Sequence, residues 1–251
     1  MKKLIFSLCF LLICGNAFAT NWCADAKTEL CLTAEEGVTT VDDQSSNNFS
    51  ITKYSTATQS STQAAFGTYS YILDGGNDTL YFEDATGIID FEGADEDFSI
   101  CLWARSEVLE TAIFITRQDG SDDFWRFLMI DNPDTGNVWG SIDSKDVKSG
   151  ASAVAATTWS HVCMVMDRDG NGQIWVNGAT SGSAVALSSE AMDITEDTVF
   201  IGRSNDSNLY FGGYIDDLII YSDLLSEANI TDIYTNGLVQ VASTRRTMII
   251  Q

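Results

Sequence analysis

Short runs rich in β-branched and aromatic residues recur along almost the whole chain, and Gly, Asn and Asp separate them. The first residue types favour strands, and the separators favour turns. Many short strands with turns between them are typical of two stacked antiparallel sheets. We therefore predict an all-β fold, a two-sheet antiparallel sandwich, with strands at residues 29–33, 48–54, 70–73, 79–82, 98–105, 112–117, 125–130, 138–143, 160–167, 173–176, 198–202 and 213–221.

A helix is predicted near the C-terminus. Ser226 is a suitable N-cap, and Glu227 places negative charge at the positive start of the helix. Gly237 favours the left-handed conformation that ends many helices. Ile230 and Ile233 are spaced to bury one face. The sandwich is thus expected to carry one short C-terminal helix with a structural role.

Residues 1–19 have the features of a signal peptide. Lys2 and Lys3 supply the positive start, residues 4–13 form a short apolar run, and residues 17–19 form a small-x-small cleavage motif. We expect cleavage after this motif and export, so the mature protein is expected to be secreted, extracellular or periplasmic. No later apolar run approaches the roughly 20 residues that a membrane helix needs, so we expect no membrane insertion.

The residues after the signal peptide are predicted to form one domain followed by a tail. Residues 20–238 contain the single proline of the chain, Pro133, and no long Gly/Ser tract, so no linker divides them. Residues 239–251 hold two arginines and a few apolar residues, and they are expected to form a flexible C-terminal tail.

The chain is strongly acidic, with 13 Lys and Arg against 36 Asp and Glu and a formal net charge of −23 at pH 7. Binding of nucleic acid needs clustered Lys and Arg, so we expect no nucleic acid partner. An acidic surface serves solubility, and it also offers the oxygen ligands that Ca²⁺ prefers. Both interpretations stay open for any single aspartate.

Four cysteines follow the signal peptide: Cys23, Cys31, Cys101 and Cys163. An even number in an exported protein predicts disulfides, and three connectivities are possible. Cys101 and Cys163 lie in two β-rich runs that flank the middle of the domain. Pairing these two with each other, and Cys23 with Cys31, is the most economical choice.

Several blocks of the sequence resemble laminin-G-like, or concanavalin A-like, jelly-roll domains. IGRSNDSNLYFGGYIDDLIIY at 201–221 is similar to the closing family pattern IGR…YFNGxIDExxIY, and FSICLWAR at 98–105 is similar to FTIxxWVR. TTWSHVCMVMDRDGNGQIWVNG at 157–178 is similar to WxHVAxxxDxxGxxxxYVNG, and FGTYSYILDGGNDTLYF at 66–82 is similar to FGxxSxxFDGxxDYL. The blocks occur in the family order between residues 29 and 237. The resemblance implies a jelly roll of a kind that usually binds ligands and carries catalytic carboxylates only in some branches.

Pentraxins share this fold, and their central disulfide joins an FTVCLHF strand to a HICxSW strand. Cys101 and Cys163 occupy the equivalent places here. The resemblance therefore supports the pairing chosen above.

The pentraxin resemblance also implies a calcium site. In pentraxins, an Asp in a KRQDNE loop and an Asp after the LGQEQD strand help to bind Ca²⁺. Asp119 and Asp206 match those positions, and Asn205 stands beside the second of them as a further oxygen ligand. Ser204 stands where the pentraxin loop has Glu, so one weak Ca²⁺ site is expected rather than two.

Sugar recognition commonly combines an exposed aromatic ring, which stacks on a pyranose, with carboxylates or amides that bind the hydroxyl groups. Trp125 and Tyr210 lie near the acidic loops, and we expect these two rings to contact a ligand. Trp139 and Phe211 are further rings in the same region of the sequence. The expected partner is a glycan or a glycoprotein.

We predict a secreted binding module for carbohydrate or glycosylated surfaces, with Ca²⁺ organising its loops. The alternative is a protein–protein adhesion or extracellular-matrix module, because laminin-type relatives often bind proteins through the same edge. A glycoside hydrolase is less expected, since glucanases of this fold carry an ExDxE or ExDxxE pattern on one strand, and no strand here has it. His161 is the single histidine, so a His-rich zinc site has no second histidine to use. We assign no catalytic residues and predict that the protein is not an enzyme.

Overall fold

The computed structural model describes residues 20–35, 41–93, 95–119, 123–131, 136–187, 192–205 and 209–239. The predicted signal peptide and residues 240–251 of the predicted tail lie outside these ranges. The strands are β1 (Thr28–Leu32), β2 (Thr52–Tyr54), β3 (Thr58–Ser60), β4 (Ser70–Asp74), β5 (Thr79–Glu83), β6 (Phe98–Ser106), β7 (Ala112–Asp119), β8 (Asp123–Ile130), β9 (Asn137–Ile142), β10 (Lys145–Lys148), β11 (Ser160–Met166), β12 (Asn171–Val176), β13 (Ala179–Ala186), β14 (Thr198–Ile201) and β15 (Gly212–Tyr221).

The strands form two antiparallel sheets. The order in the eight-stranded sheet is β13-β12-β11-β6-β15-β4-β3, with β1 also paired to β15. The order in the seven-stranded sheet is β10-β9-β8-β7-β14-β5-β2. Many neighbours are distant in sequence, as the long crossovers of a jelly roll require. The predicted two-sheet jelly-roll sandwich is confirmed.

The facing sides of the two sheets share one apolar core. Strand β6 contributes Phe98 and Ile100, and strand β8 contributes Trp125, Phe127 and Met129. These residues follow the alternation of a strand, in which every second side chain points to the same face. The intervening side chains of each strand therefore point away from the core, and this geometry creates the surface discussed below.

Helix α1 (Glu227–Asn236) packs on the outer side of the eight-stranded sheet. The Ser226 hydroxyl accepts a hydrogen bond from the Asn229 N–H, and Gly237, at φ 76°, follows the last helical residue. Ile230 and Ile233 are buried on its inner face, as predicted. No helix among the described residues has both the length and the apolarity needed to cross a bilayer.

Both predicted disulfides are present. Cys23 is bonded to Cys31, and Cys101 is bonded to Cys163 across the neighbouring strands β6 and β11. The second bond is buried beneath α1, beside Ile230 and Ile233. It therefore joins the centre of the sheet to the layer that covers it.

Three strands were not predicted, and all of them lie at sheet edges. β3 and β13 end the eight-stranded sheet, and β10 ends the seven-stranded sheet. An edge strand is held by main-chain hydrogen bonds on one side and buries little, so its side chains need not be apolar. β13 reads ATSGSAVA and is largely exposed, which leaves no hydrophobic pattern to recognise.

Candidate functional site

The outer face of the seven-stranded sheet, meaning the side that points away from the core, presents a row of polar and aromatic side chains. Arg126 on β8 pairs with Thr116 on β7, Thr116 with Phe200 on β14, and Phe200 with Tyr81 on β5. Residues directly opposite on neighbouring strands share a face and lie about 5 Å apart. Thr116 is buried, whereas Arg126, Phe200 and Tyr81 remain partly exposed. These four residues are called the outer row.

Two arginines lie over rings of this face. The Arg126 guanidinium carbon is 4.3 Å from the centroid of the Phe124 ring. The Arg203 guanidinium carbon is 4.6 Å from the Phe200 centroid and 5.9 Å from the Tyr210 centroid. Distances below about 6 Å are typical of cation–π contacts, which fix the orientation of the guanidinium plane. Tyr210, one of the two rings predicted to contact a ligand, lies beside Arg203 and is half-buried.

One end of the outer face is apolar. Ile113 and Leu128 point outward and are nevertheless buried, because the side chains of Trp139 and Leu209 pack against them. The Lys148 ammonium nitrogen lies 3.5 Å from the centroid of the Trp139 ring. Trp139 remains partly exposed, so the outer face combines an apolar end with the polar outer row.

The loop that follows β14 contacts the end of β7. The Asn205 side-chain amide donates a hydrogen bond to the Gln118 carbonyl oxygen, with 3.3 Å between the two atoms. Gln118 directly precedes Asp119, the last residue of β7, and Asn205 directly precedes Asp206. The two segments predicted to bind Ca²⁺ are thus in contact. The side chain of Asp119 and the whole of Asp206 lie outside the described part of the chain, so the ligand assignment stays a prediction.

The expectation that Trp125 is an exposed ring is wrong. Its side chain is 0% exposed, and its indole N–H donates a hydrogen bond to the Ile89 carbonyl oxygen at 2.9 Å. Trp125 pairs with Ile142 of β9 on the inner face and belongs to the core between the sheets. Because side chains alternate along a strand, this inward position of Trp125 directs its neighbour Arg126 to the outer face.

The buried pair Asp216 and Asp217 has structural partners. Asp216 accepts hydrogen bonds from the N–H groups of Ala65 and Phe66, and Asp217 accepts one from the Leu238 N–H. Burial, together with the neighbouring Asp217 charge, raises the pKa of Asp216 well above its ordinary value. These contacts hold two loops against β15, which gives this acidic pair a role in the fold.

One group of three potential metal ligands converges within the described ranges: Cys101, His161 and Cys163. The two sulfur atoms are joined in a disulfide, so they supply no thiolate to a metal. The His161 ring is buried against Trp103 and Tyr234, and burial lowers the pKa of His161 to about 3. His161 is therefore a neutral packing residue at physiological pH.

The sequence of residues 74–231 matches the family model of the concanavalin A-like lectin/glucanase superfamily, in its laminin-G type. The chain belongs to this superfamily. Among curated proteins, none matches the sequence.

Solved structures with the same fold include two toxin domains and one domain of an enzyme. The binding domain of Paraclostridial Mosquitocidal Protein 1 aligns with a TM-score of 0.68 at 13% identity, covering 83% of this chain and 52% of that one. The binding domain of botulinum neurotoxin DC, solved with rat synaptotagmin II, aligns with a TM-score of 0.65 at 16% identity, covering 83% and 51%. Domain 4 of AbnA, an extracellular arabinanase from Geobacillus stearothermophilus, was solved with arabinotriose and aligns with a TM-score of 0.63 at 19% identity, covering 83% and 98%. The present chain thus spans about half the length of the toxin domains and nearly the whole of the arabinanase domain.

Sequence reasoning missed Arg126, Phe200 and Tyr81 as members of a common surface. Their strands were predicted, and the alternation of apolar residues in β8 already indicates that Arg126 points away from the core. The register that places Arg126, Thr116 and Phe200 side by side depends on strands distant in sequence. No local pattern contains that information.

Proposed function

We propose that this protein is an exported carbohydrate-binding domain that uses the outer face of the seven-stranded sheet and does not catalyse a reaction. The outer row is the observation that carries the proposal. It presents the partly exposed rings of Phe200 and Tyr81 on the same face as Arg126, with Thr116 between Phe200 and Arg126. A sugar has an apolar C–H face that packs on such rings, and its hydroxyl oxygens accept hydrogen bonds from the guanidinium group.

The arabinanase domain adds support, because its structure was solved with arabinotriose and this chain covers 98% of it. At 19% identity, that likeness concerns the fold alone. The ligand of this protein and the residues that bind it therefore have to be inferred from its own side chains. Protein–protein adhesion is the second candidate, favoured by the neurotoxin domain solved with rat synaptotagmin II.

Ca²⁺ is proposed as an organiser of the loop edge next to this face. The contact between Asn205 and the Gln118 carbonyl oxygen brings the two predicted calcium segments together. Carboxylate, amide and carbonyl oxygens are the ligands that Ca²⁺ prefers. A bound ion would join the loop after β14, which carries Arg203 and Tyr210, to the end of β7.

We expect the purified protein to bind oligosaccharides, and we expect Phe200→Ala and Tyr210→Ala each to lower the affinity at least tenfold. Removing a ring from a contact costs about 1.5–3 kcal/mol, and each 1.4 kcal/mol is about a tenfold change in affinity. A glycan array selects the ligand, with arabinotriose as the first probe for calorimetric titration. Tyr69→Ala is the matched control, since Tyr69 is a half-buried tyrosine next to β4 in the other sheet.

The same titrations are repeated after chelation and with Asp206→Asn. If Ca²⁺ organises this edge, saccharide binding is expected to weaken both after chelation and in Asp206→Asn. Ca²⁺ is also expected to raise the Tm of the wild type and not that of Asp206→Asn. Binding that is unchanged by Phe200→Ala and Tyr210→Ala would place the ligand elsewhere on the molecule. A glycan array without any bound saccharide, together with specific capture of a protein partner, would favour protein–protein adhesion. Release of reducing sugar from a glycan would contradict a purely binding role.

A further inference from the structure

The outer face concentrates positive charge in a chain whose net charge is −23. Arg126 lies in the middle of the sheet on β8, and Arg203 lies over Phe200 of β14. Among the described side chains that point outward from β7, β8 and β14, none is a carboxylate. The carboxylates near this face are those of Glu83 on β5 and Glu196, both of which accept a hydrogen bond from the Thr198 hydroxyl, and that of Asp146 on β10, which accepts one from the Ser141 hydroxyl. The centre of the face is therefore locally basic.

These two arginines differ from most of the other described basic residues in having no acidic partner. Arg117 pairs with Asp84, Arg105 with Glu107, Lys27 with Asp223 and Lys148 with Asp146. Arg126, in contrast, lies against the Phe124 ring and forms no ion pair with any described residue.

The side-chain hydrogen bonds of the two arginines also indicate that donors remain for an external ligand. Within the described ranges, Nε of Arg126 is shielded from solvent and has no hydrogen-bond partner, although the residue as a whole stays partly exposed. Arg203 uses its Nε to donate to the Ser204 carbonyl oxygen and has no described carboxylate partner. The terminal guanidinium nitrogens of both arginines make no hydrogen bond to a described residue, and these nitrogens, rather than the shielded Nε of Arg126, are the donors that an external acceptor can reach.

We propose that the saccharide bound by this face is acidic, a uronate-containing oligosaccharide whose carboxylates are contacted by Arg126 and Arg203. The proposal rests on the carbohydrate-binding function above and names the class of sugar. The planar guanidinium presents parallel N–H donors that match the two oxygens of a carboxylate. β7 lies between β8 and β14, so Arg126 and Phe200, the residue whose ring the Arg203 guanidinium covers, lie about 10 Å apart. The two guanidinium groups therefore contact different sugar residues of one oligosaccharide.

The acidity of the remaining surface does not prevent this contact. At physiological ionic strength, charges more than about 8 Å apart are largely screened, so the groups next to the bound carboxylate dominate. Phe200 lies under the Arg203 guanidinium, and the Tyr81 ring lies next to it with 6.2 Å between the two centroids; the exposed parts of these rings provide the packing surface for the sugar. The face thus offers separate contacts for the acid group and for the ring that carries it.

The test compares short oligogalacturonates with their methyl esters, which keep the sugar and remove the charge, by calorimetric titration of the purified protein at physiological salt. We expect the free acid to bind at least tenfold more tightly than the ester. Arg126→Gln and Arg203→Gln are each expected to weaken binding of the acid at least tenfold and binding of the ester by a smaller factor, because the ester keeps the hydroxyl contacts and lacks the carboxylate. Lys27→Gln, which removes the same charge away from this face, is expected to match the wild type.

A further variant, Arg126→Lys, keeps the positive charge but lacks the planar, parallel N–H donors of a guanidinium group. It is expected to bind the acid more tightly than Arg126→Gln and less tightly than the wild type. Unchanged Tm values confirm that the variants fold. Equal affinity for acid and ester, or arginine variants that bind the acid like the wild type, would overturn the proposal while leaving neutral sugar binding intact. Tighter, arginine-dependent binding of a sulfated oligosaccharide would also overturn it, in favour of a sulfate ester. If no saccharide binds, acidic or neutral, the proposed function fails together with this inference.

Discussion

Replacing Asp84 by alanine is expected to lower the free energy of unfolding by about 3–5 kcal/mol, because it removes the buried counter-ion of Arg117 and leaves only the largely exposed Asp197 carboxylate, 3.9 Å away. Both side chains are almost completely buried, and a guanidinium nitrogen of Arg117 lies 2.8 Å from a carboxylate oxygen of Asp84. Asp84 also accepts hydrogen bonds from the N–H groups of Ile88 and Ile89, so its loss leaves two donors unsatisfied as well. Chemical denaturation at pH 7 measures the effect.

The double variant Asp84→Ala with Arg117→Met tests the cause. Removing both charges is expected to recover a substantial part of the loss, since no unpaired ion then remains in the interior. Glu83→Ala is the matched control, because Glu83 is exposed and a surface change of this kind stays within about 0.5 kcal/mol. A double variant as unstable as Asp84→Ala alone would show that the hydrogen bonds of Asp84, rather than the ion pair, hold this region.

His161 is expected to make the protein lose stability in acid, by about 1.4 kcal/mol for each pH unit between its unfolded and its folded pKa. Burial lowers the pKa of His161 from 6.5 to about 3. In this window the unfolded chain binds a proton that the folded protein does not bind, so the free energy of unfolding falls as the pH falls. Above pH 6.5 the histidine is neutral in both states, and its contribution is fully present.

His161→Phe keeps a ring against the stacked pair of Trp103 and Tyr234 and removes the titrating group. Relative to the wild type, the variant is expected to gain about 2 kcal/mol between pH 6.5 and pH 4.5, measured by denaturation at a series of pH values. Tyr234→Phe is the control, because it alters the same ring cluster and leaves the imidazole of His161 in place. Parallel pH profiles for wild type and His161→Phe would contradict a neutral buried imidazole.

Much of the fold was predictable because its signals are local. The helix begins and ends at the predicted residues because Ser226 and Gly237 cap it through their own side chain or backbone conformation. The disulfide between Cys101 and Cys163 joins two strongly apolar strands that the sequence already marks as central. The edge strands β3, β10 and β13 escaped prediction because main-chain pairing, which carries no side-chain pattern, holds them in place.

The candidate site was less predictable because it depends on strand phase and register. Trp125 and Arg126 are neighbours in sequence, yet one lies in the core and the other on the outer face. Their assignment requires knowing which side of β8 meets the other sheet. The pairing of Arg126 with Thr116, and of Thr116 with Phe200, further requires the order β8-β7-β14. That order is fixed by contacts between segments about 80 residues apart, such as β7 and β14.

The most direct test of sugar recognition by the outer face is two-dimensional NMR of the purified protein during titration with the best oligosaccharide from the array. The Nε–H signals of Arg126 and Arg203 and the amide signals of Thr116, Phe200 and Tyr81 are predicted to shift together and to saturate with one affinity. Shifts confined to α1 and the outer side of the eight-stranded sheet, with the signals of Arg126 and Phe200 unchanged, would contradict the account.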